Sequence, residues 1–258
     1  MPLTITGFAS MDRSSDEISK TLQNLDPHKV HYKLEYFDVS AVGAVPRDIL
    51  AYGQADWEDL VVTNWPEETK APFGYFPVLH IYPEGAQSPK EDSLRICETF
   101  VVEHFLAEKF NLLGKNEWEA QQIKMFHSSS LYLRERVAMR ITWNFKEVMD
   151  KSMDIFMSTQ LPYWIETHSK YLRDNGSNGH YIGDQLSLAD LQTANNLDHF
   201  AVIKDGHKIL DMVKKNGPEI WKVKETVDQE PRLQKWRQSE GYKAHLAMSQ
   251  MRYASTGI

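Results

Sequence analysis

Proline inside a strand is a hard constraint, because it lacks the N–H a sheet ladder needs; it must start a strand or lie on an edge. Here that constraint falls on Phe73-Gly74-Tyr75-Phe76-Pro77-Val78-Leu79, a turn glycine running into an apolar strand. Nineteen residues further on, Glu98-Thr99 open an apolar helix. A cis peptide bond, largely confined to X–Pro, would turn the N–H and C=O of Phe76 outward, free to pair with an extended ligand.

The surrounding segments alternate. Val30 to Phe37 reads as a strand and runs into the small-residue turn Val39 to Gly43. A helix is expected from Pro46 through Tyr52, with proline tolerated in the first turn. Trp57 to Thr63 reads as a second strand, and Trp65 to Ala71 as a short irregular helix or loop. Val78 to Tyr82 and Leu94 to Cys97 make two more strands around a turn rich in Pro, Gly and Ser. Thr99 to Phe110 is helical. The order βαβ then ββα predicts a small α/β domain. Beyond Asn111 to Asn116 the pattern turns helical: Met125, Leu131, Val137, Ile141, Phe145 and Met149 recur at helix-like intervals, and a further helix covers Asp154 to Leu172. In Gly183-Asp184-Gln185-Leu186-Ser187-Leu188-Ala189-Asp190, Ser187 and Asp190 have capping-box spacing.

Composition removes several function classes. With 36 acidic against 29 basic residues, the net charge of −7 argues against nucleic acid or an anionic membrane as partner. No apolar run approaches membrane-spanning length, and the first residues lack a signal-peptide core, so a cytoplasmic location is expected. The single cysteine, Cys97, excludes an internal disulfide and a thiolate zinc cluster. The histidines, His28 and His31 included, form no metal-ligand pattern, and no metal is expected.

Taken in order, Tyr32 to Phe37, Leu50-Ala51-Tyr52, Trp65-Pro66-Glu67, Pro72-Phe73-Gly74 with Pro77-Val78-Leu79, Glu98-Thr99, and Gly183 to Asp190 resemble the cytosolic glutathione transferases, most of all the sigma-type branch. The resemblance covers roughly residues 30 to 245. It implies an α/β thioredoxin-like N-terminal domain followed by an all-α helical C-terminal domain. The boundaries would be an N-terminal extension over 1–28, a glutathione-binding domain over 29–110, a linker over 111–116 and a helical domain over 117–258 that forms the second-substrate pocket.

The resemblance also implies a chemistry. A free thiol ionises near pH 8.5, so about a few per cent is thiolate at neutral pH. A hydroxyl donating to the sulfur of glutathione favours the thiolate, and helix N-terminal N–H groups add to this. Two hydroxyls suit that role: Tyr36, at the position of the sigma, alpha, mu and pi tyrosine, and Ser40, at the position of the delta and theta serine. Phe76 would pair through its backbone with the cysteinyl unit, held by Pro77. Glu98 would meet the γ-glutamyl ammonium, with Thr99 and its helix N-terminus on the carboxylate. Trp65 and Lys70 would meet the glycyl carboxylate. Val42, Tyr132, Arg136 and Met139 would line the pocket for a hydrophobic or aromatic electrophile.

The chain departs from the sigma pattern in having Val42 where that branch has an arginine, Tyr75 where a polar residue is usual, and Pro46 in the first helix. Two alternatives therefore stand beside a detoxifying or secondary-metabolism transferase. One is a glutathione-dependent isomerase or dehydratase that recycles its cofactor; the other is a non-catalytic glutathione-binding relative. A homodimer is implied by the resemblance alone.

Overall fold

A computed structural model of the chain describes residues 15–63, 65, 71–82, 94–142 and 144–253. The chain folds into two compact units, and each is described by itself. The first holds the chain up to Asp38 together with Val42–Phe110; the second holds Val39–Ala41 and everything from Asn111 onward.

In the first unit, helix α1 (Ser15–Gln23) precedes β1 (His31–Tyr36), a short 3-10 turn (Ala41–Gly43), α2 (Ala44–Tyr52), β2 (Asp56–Val61), β3 (Val78–Tyr82), β4 (Leu94–Cys97) and α3 (Thr99–Lys109). The sheet order is β2-β1-β3-β4, with β1 and β2 parallel and the other pairs antiparallel. Alternation along β1 buries Tyr32, Leu34 and Tyr36 on one face. That face meets α2 and the end of α3: Phe110 lies edge-on to Tyr32 at 6.3 Å, and the Arg47 guanidinium sits 5.7 Å from the Tyr36 ring. Strand β2 stops at Val61, two residues short of the expected Thr63. It is an edge strand carrying Asp56, Glu58 and Asp59, charges that discourage further pairing. The sequence placed the start of α2 at Pro46. The helix starts two residues earlier, and Pro46 falls in its first turn, where no N–H partner is lost. The Lys109 ammonium donates to the Leu22 carbonyl at 2.6 Å, tying α1 to α3 within the unit.

The second unit is helical among the described residues. Its helices are α4 (Glu117–Val137), α5 (Lys146–Ile155), α6 (Leu161–Asp174), α7 (Leu188–Val202), α8 (Gly206–Asn216), α9 (Pro218–Gln229), α10 (Pro231–Arg237) and α11 (Glu240–Tyr253). Helix α7 is buried on nearly every side and packs against α4, α8, α9 and α11. Its start carries the capping box. The Ser187 N–H donates to Asp190 Oδ2 at 2.9 Å, the Asp190 N–H to Ser187 Oγ at 3.4 Å, and the second carboxylate oxygen accepts from the Tyr181 N–H at 2.9 Å. Nearby, His168 of α6 lies with Nε2 3.0 Å from Ser129 Oγ and Nδ1 2.7 Å from the Tyr181 hydroxyl. Burial pushes its pKa down to about 3, so the ring is neutral.

Periodicity ran through two places where the helix changes. A π-helical turn, Ala138–Thr142, follows α4, and the chain then breaks before α5. Asn144 makes the break: its side-chain amide donates to the Met139 carbonyl and its oxygen accepts from the Phe145 N–H. Phe145, expected on the apolar face, is consequently an exposed extended cap. A second π-helical turn, Phe156–Gln160, joins α5 to α6. Pro162, in the first turn of α6, has no N–H to give the preceding turn, and the wider turn accommodates that loss.

Candidate functional site

Strand register gathers the candidate residues of the first unit at one end of the sheet. Glu35 pairs with Val78, and Val78 with Cys97. Tyr36 at the end of β1, Phe76-Pro77 just before β3 and Glu98-Thr99 just after β4 therefore share an edge. The Phe76–Pro77 bond is cis. The Phe76 ring packs on a small apolar cluster of Ala71, Val78 and Cys97 and meets Phe37 edge-on at 5.6 Å, which anchors its side chain.

Glu98 is the exposed residue immediately before α3, and its backbone is unusual: φ 74°, ψ 128°. A non-glycine residue in that region costs about 1–3 kcal/mol, and such residues cluster at ligand clamps. Thr99 begins α3, so the first N–H groups of that helix open onto the same edge. Cys97 is buried; desolvation, and then the neighbouring Glu98 charge, push its thiol pKa up, which keeps it protonated and unreactive.

The Tyr36 ring is held tightly. A Cβ on Gly43 would come within 2.5 Å of the ring and 2.9 Å of Arg47 Nη1, so glycine is what lets the turn pass this close. Arg47 is the residue that sequence reasoning missed. Val42 removes the expected arginine, yet a buried guanidinium reaches the same tyrosine from one turn into α2. Arg47 donates to Asp59 Oδ1 at 2.8 Å and to the Phe37 carbonyl at 3.0 Å, so its charge is partly offset. The signal available was a charged pair, Arg47-Asp48, inside an otherwise apolar stretch, Ala44-Val45-Pro46-Arg47-Asp48-Ile49-Leu50.

Ser40 stands differently. It is buried within the second unit, where its N–H donates to Ser249 Oγ of α11 at 2.9 Å and its own hydroxyl lies 2.7 Å from that oxygen. The expected role of Trp65 also meets a different partner: its indole N–H donates to the Gly74 carbonyl at 3.0 Å, bracing the turn before β3. Gly74 itself needs φ 78°, a conformation glycine adopts without strain. Lys70 lies outside the described residues. Of the expected pocket residues, Val42 is half-buried in the 3-10 turn. On α4 the Arg136 guanidinium donates to the Tyr132 hydroxyl at 3.1 Å and lies 4.3 Å from its ring, which lowers the phenol pKa. Tyr132 and Met139 are exposed. Arg136, without them, lines a small open cleft together with Arg140, Ile141, Ser152, Ile155, Phe156 and Gln160.

Comparison with known proteins supplies the family. The family model described as glutathione S-transferase, C-terminal domain, matches residues 133–240. Probable glutathione S-transferase 5 of Caenorhabditis elegans is 29% identical over 224 residues, covering 80% of this chain and 95% of its own. Glutathione S-transferase 2 of the same organism is 31% identical over 179 residues, covering 65% of this chain and 87% of its own. The chain belongs to the glutathione S-transferase family. Among solved structures, the sigma class transferase of Fasciola hepatica superposes with a TM-score of 0.68 at 20% identity, covering 83% of this chain and 99% of that one. The transferase fold, a thioredoxin-like α/β unit followed by a helical one, is thus the fold of this chain. Within it, the register-built edge of the first unit is the candidate site.

Proposed function

We propose that this transferase binds glutathione along the Tyr36, Phe76 and Glu98-Thr99 edge and adds its sulfur to an electrophilic carbon of a hydrophobic or aromatic substrate. The observation that carries this reading is the strained Glu98 at the mouth of α3, in register with the cis Phe76–Pro77 segment. An extended peptide pairing with the Phe76 backbone would place its γ-glutamyl end at Glu98 and Thr99. The carboxylate of Glu98 suits the ammonium, and the Thr99 hydroxyl and helix N–H groups suit the carboxylate.

Thiol activation is assigned to Tyr36. The Ser40 N–H and hydroxyl are both engaged with Ser249, which supports the tyrosine over the serine. The Tyr36 hydroxyl would donate to the sulfur, lowering the thiol pKa, and the sulfur would then attack the electrophile. The nearby Arg47 charge favours negative charge in this region, to the extent that Asp59 leaves it uncompensated.

A homodimer is part of the proposal. Trp118, Met125, Tyr132 and Met139 follow one another at seven-residue intervals, and all are more than half exposed. Such a line of large apolar side chains along α4 and into the turn after it suits packing against a second copy. That use takes Tyr132 and Met139 out of the substrate pocket and leaves Arg136 in it.

Ultraviolet difference spectroscopy of bound glutathione tests the assignment. The parent protein should show a thiolate band at neutral pH, Tyr36→Phe should lose it, and Ser40→Ala should keep it. Absence of the band in the parent, with glutathione bound, would refute thiol activation.

A further inference from the structure

The chain holds three Asn-Gly dipeptides: Asn175-Gly176 and Asn178-Gly179 in the loop from α6 to α7, and Asn216-Gly217 where α8 ends. In such a pair the glycine nitrogen, unhindered by a Cβ, can attack the amide carbon of the asparagine side chain. The fold places the three pairs in different situations.

Two of them are held back. The Gly176 N–H donates to the Arg173 carbonyl at 2.9 Å, and the Gly217 N–H to the Val213 carbonyl at 2.8 Å. Either nitrogen must give up a hydrogen bond before it can act as a nucleophile. The Asn175 side chain is also committed elsewhere in the loop. Its amide donates to the His180 and Gly183 carbonyls at 2.9 Å each, and its oxygen accepts from the Gly183 N–H at 3.2 Å.

Asn178 is poised on both sides. Among the described residues the Gly179 N–H meets no acceptor. Asn178 Oδ1 accepts from the His180 N–H at 3.0 Å, an Asx turn that curls the side-chain amide over the peptide bond to Gly179. The same oxygen accepts from the Asn175 amide at 3.3 Å. Two donors on one carbonyl oxygen draw charge from Cγ and stabilise the oxyanion that attack would create. The leaving nitrogen, Nδ2, donates to the Gly183 carbonyl at 2.7 Å. Glycine is required beside it: φ is 93°, and a Cβ there would collide with Thr226 Oγ1.

We propose that Asn178 is a self-modifying site, converting to aspartate and isoaspartate with water as the only co-reactant. The Gly179 nitrogen passes its proton to solvent and bonds to Asn178 Cγ. The Cγ–Nδ2 bond breaks and its nitrogen leaves as ammonia. Water then opens the resulting succinimide at either carbonyl. The product sets a carboxylate against the Gly183 carbonyl in place of a donor, and isoaspartate also adds a methylene to the main chain. Both changes loosen the loop that brings Tyr181 and Ser187 to Asp190 at the start of α7. The inference does not depend on glutathione binding.

Peptide mapping by mass spectrometry of the full chain, kept folded in mildly alkaline buffer, tests it by following amide-to-acid conversion at each site. Asn178 should convert at least about tenfold faster than Asn175 or Asn216, because releasing one hydrogen bond slows each of those by roughly that factor. In urea the three should converge on similar rates. An acidic form should accumulate on isoelectric focusing of the folded parent and be missing from Asn178→Gln, whose longer side chain does not close the succinimide ring. Conversion at Asn175 or Asn216 as fast as at Asn178 in the folded chain would overturn the proposal, as would an Asn178 that stays an amide while the unfolded chain converts. A lead for Asn178 that persists in urea would assign it to local sequence and overturn the structural argument equally.

Discussion

Glu98→Gly separates two contributions that the native residue combines. With φ 74° and ψ 128°, the glutamate backbone is strained by about 1–3 kcal/mol. Glycine removes that strain but adds unfolded-chain entropy of about 0.4–1 kcal/mol, so a net stabilisation of about 1 kcal/mol is expected. At roughly 2.1 cal/mol/K per residue of unfolding entropy, a chain of this length should gain about 2 °C in Tm. Binding should move the opposite way. Losing one charge-assisted hydrogen bond to an ammonium costs about 1.5–3 kcal/mol, or roughly ten- to a hundredfold in glutathione Kd. Glu98→Gln is the control, since it keeps the strain and loses the charge: its Tm should match the parent while its affinity falls. Differential scanning calorimetry and isothermal titration on the three proteins supply both readings. A Glu98→Gly protein that melts lower than the parent, or a Glu98→Gln protein that binds glutathione unchanged, would refute the argument.

Acid should destabilise the helical unit through His168. Its folded pKa of about 3 lies below the unfolded value near 6.5, so the stability it confers is complete above pH 6.5 and is lost as pH falls toward 3. Each pH unit in that window costs about 1.4 kcal/mol per such group; His199, also pushed down by burial, acts in the same direction. Urea midpoints measured between pH 7 and pH 5 should fall more steeply for the parent than for His168→Asn, and equal slopes would exclude the mechanism. Ser249→Ala should leave the buried Ser40 N–H without its acceptor and cost about 1–3 kcal/mol of stability, read by thermal melting, with the glutathione thiolate band intact.

Much of the first unit could be read from residue order because its rules are local. Pro77 fixed where β3 could begin, and the two strands around the following turn ran as expected from Val78 and from Leu94. The capping box at Ser187 and Asp190 was equally legible, since its spacing is set by one helical turn. What escaped was non-local. The pairing of Ser40 with Ser249 joins residues far apart in the chain, and no short motif announces it. Arg47 beneath Tyr36 depends on the packing of α2 against β1 and looked like an ordinary helix residue. Apolar periodicity passed through Phe145 because it carries no information about Asn144, whose side chain closes the helix.

The placement of Val39–Ala41 with the helical unit bears on how the molecule can be dissected. Cutting at residue 110 looks natural, since the elements described beyond it are helices. A fragment ending there would carry a three-residue tongue whose buried Val39 and Ser40 belong to the removed part. Chimeras between relatives should therefore exchange that tongue together with α11, treating the two as one inherited piece.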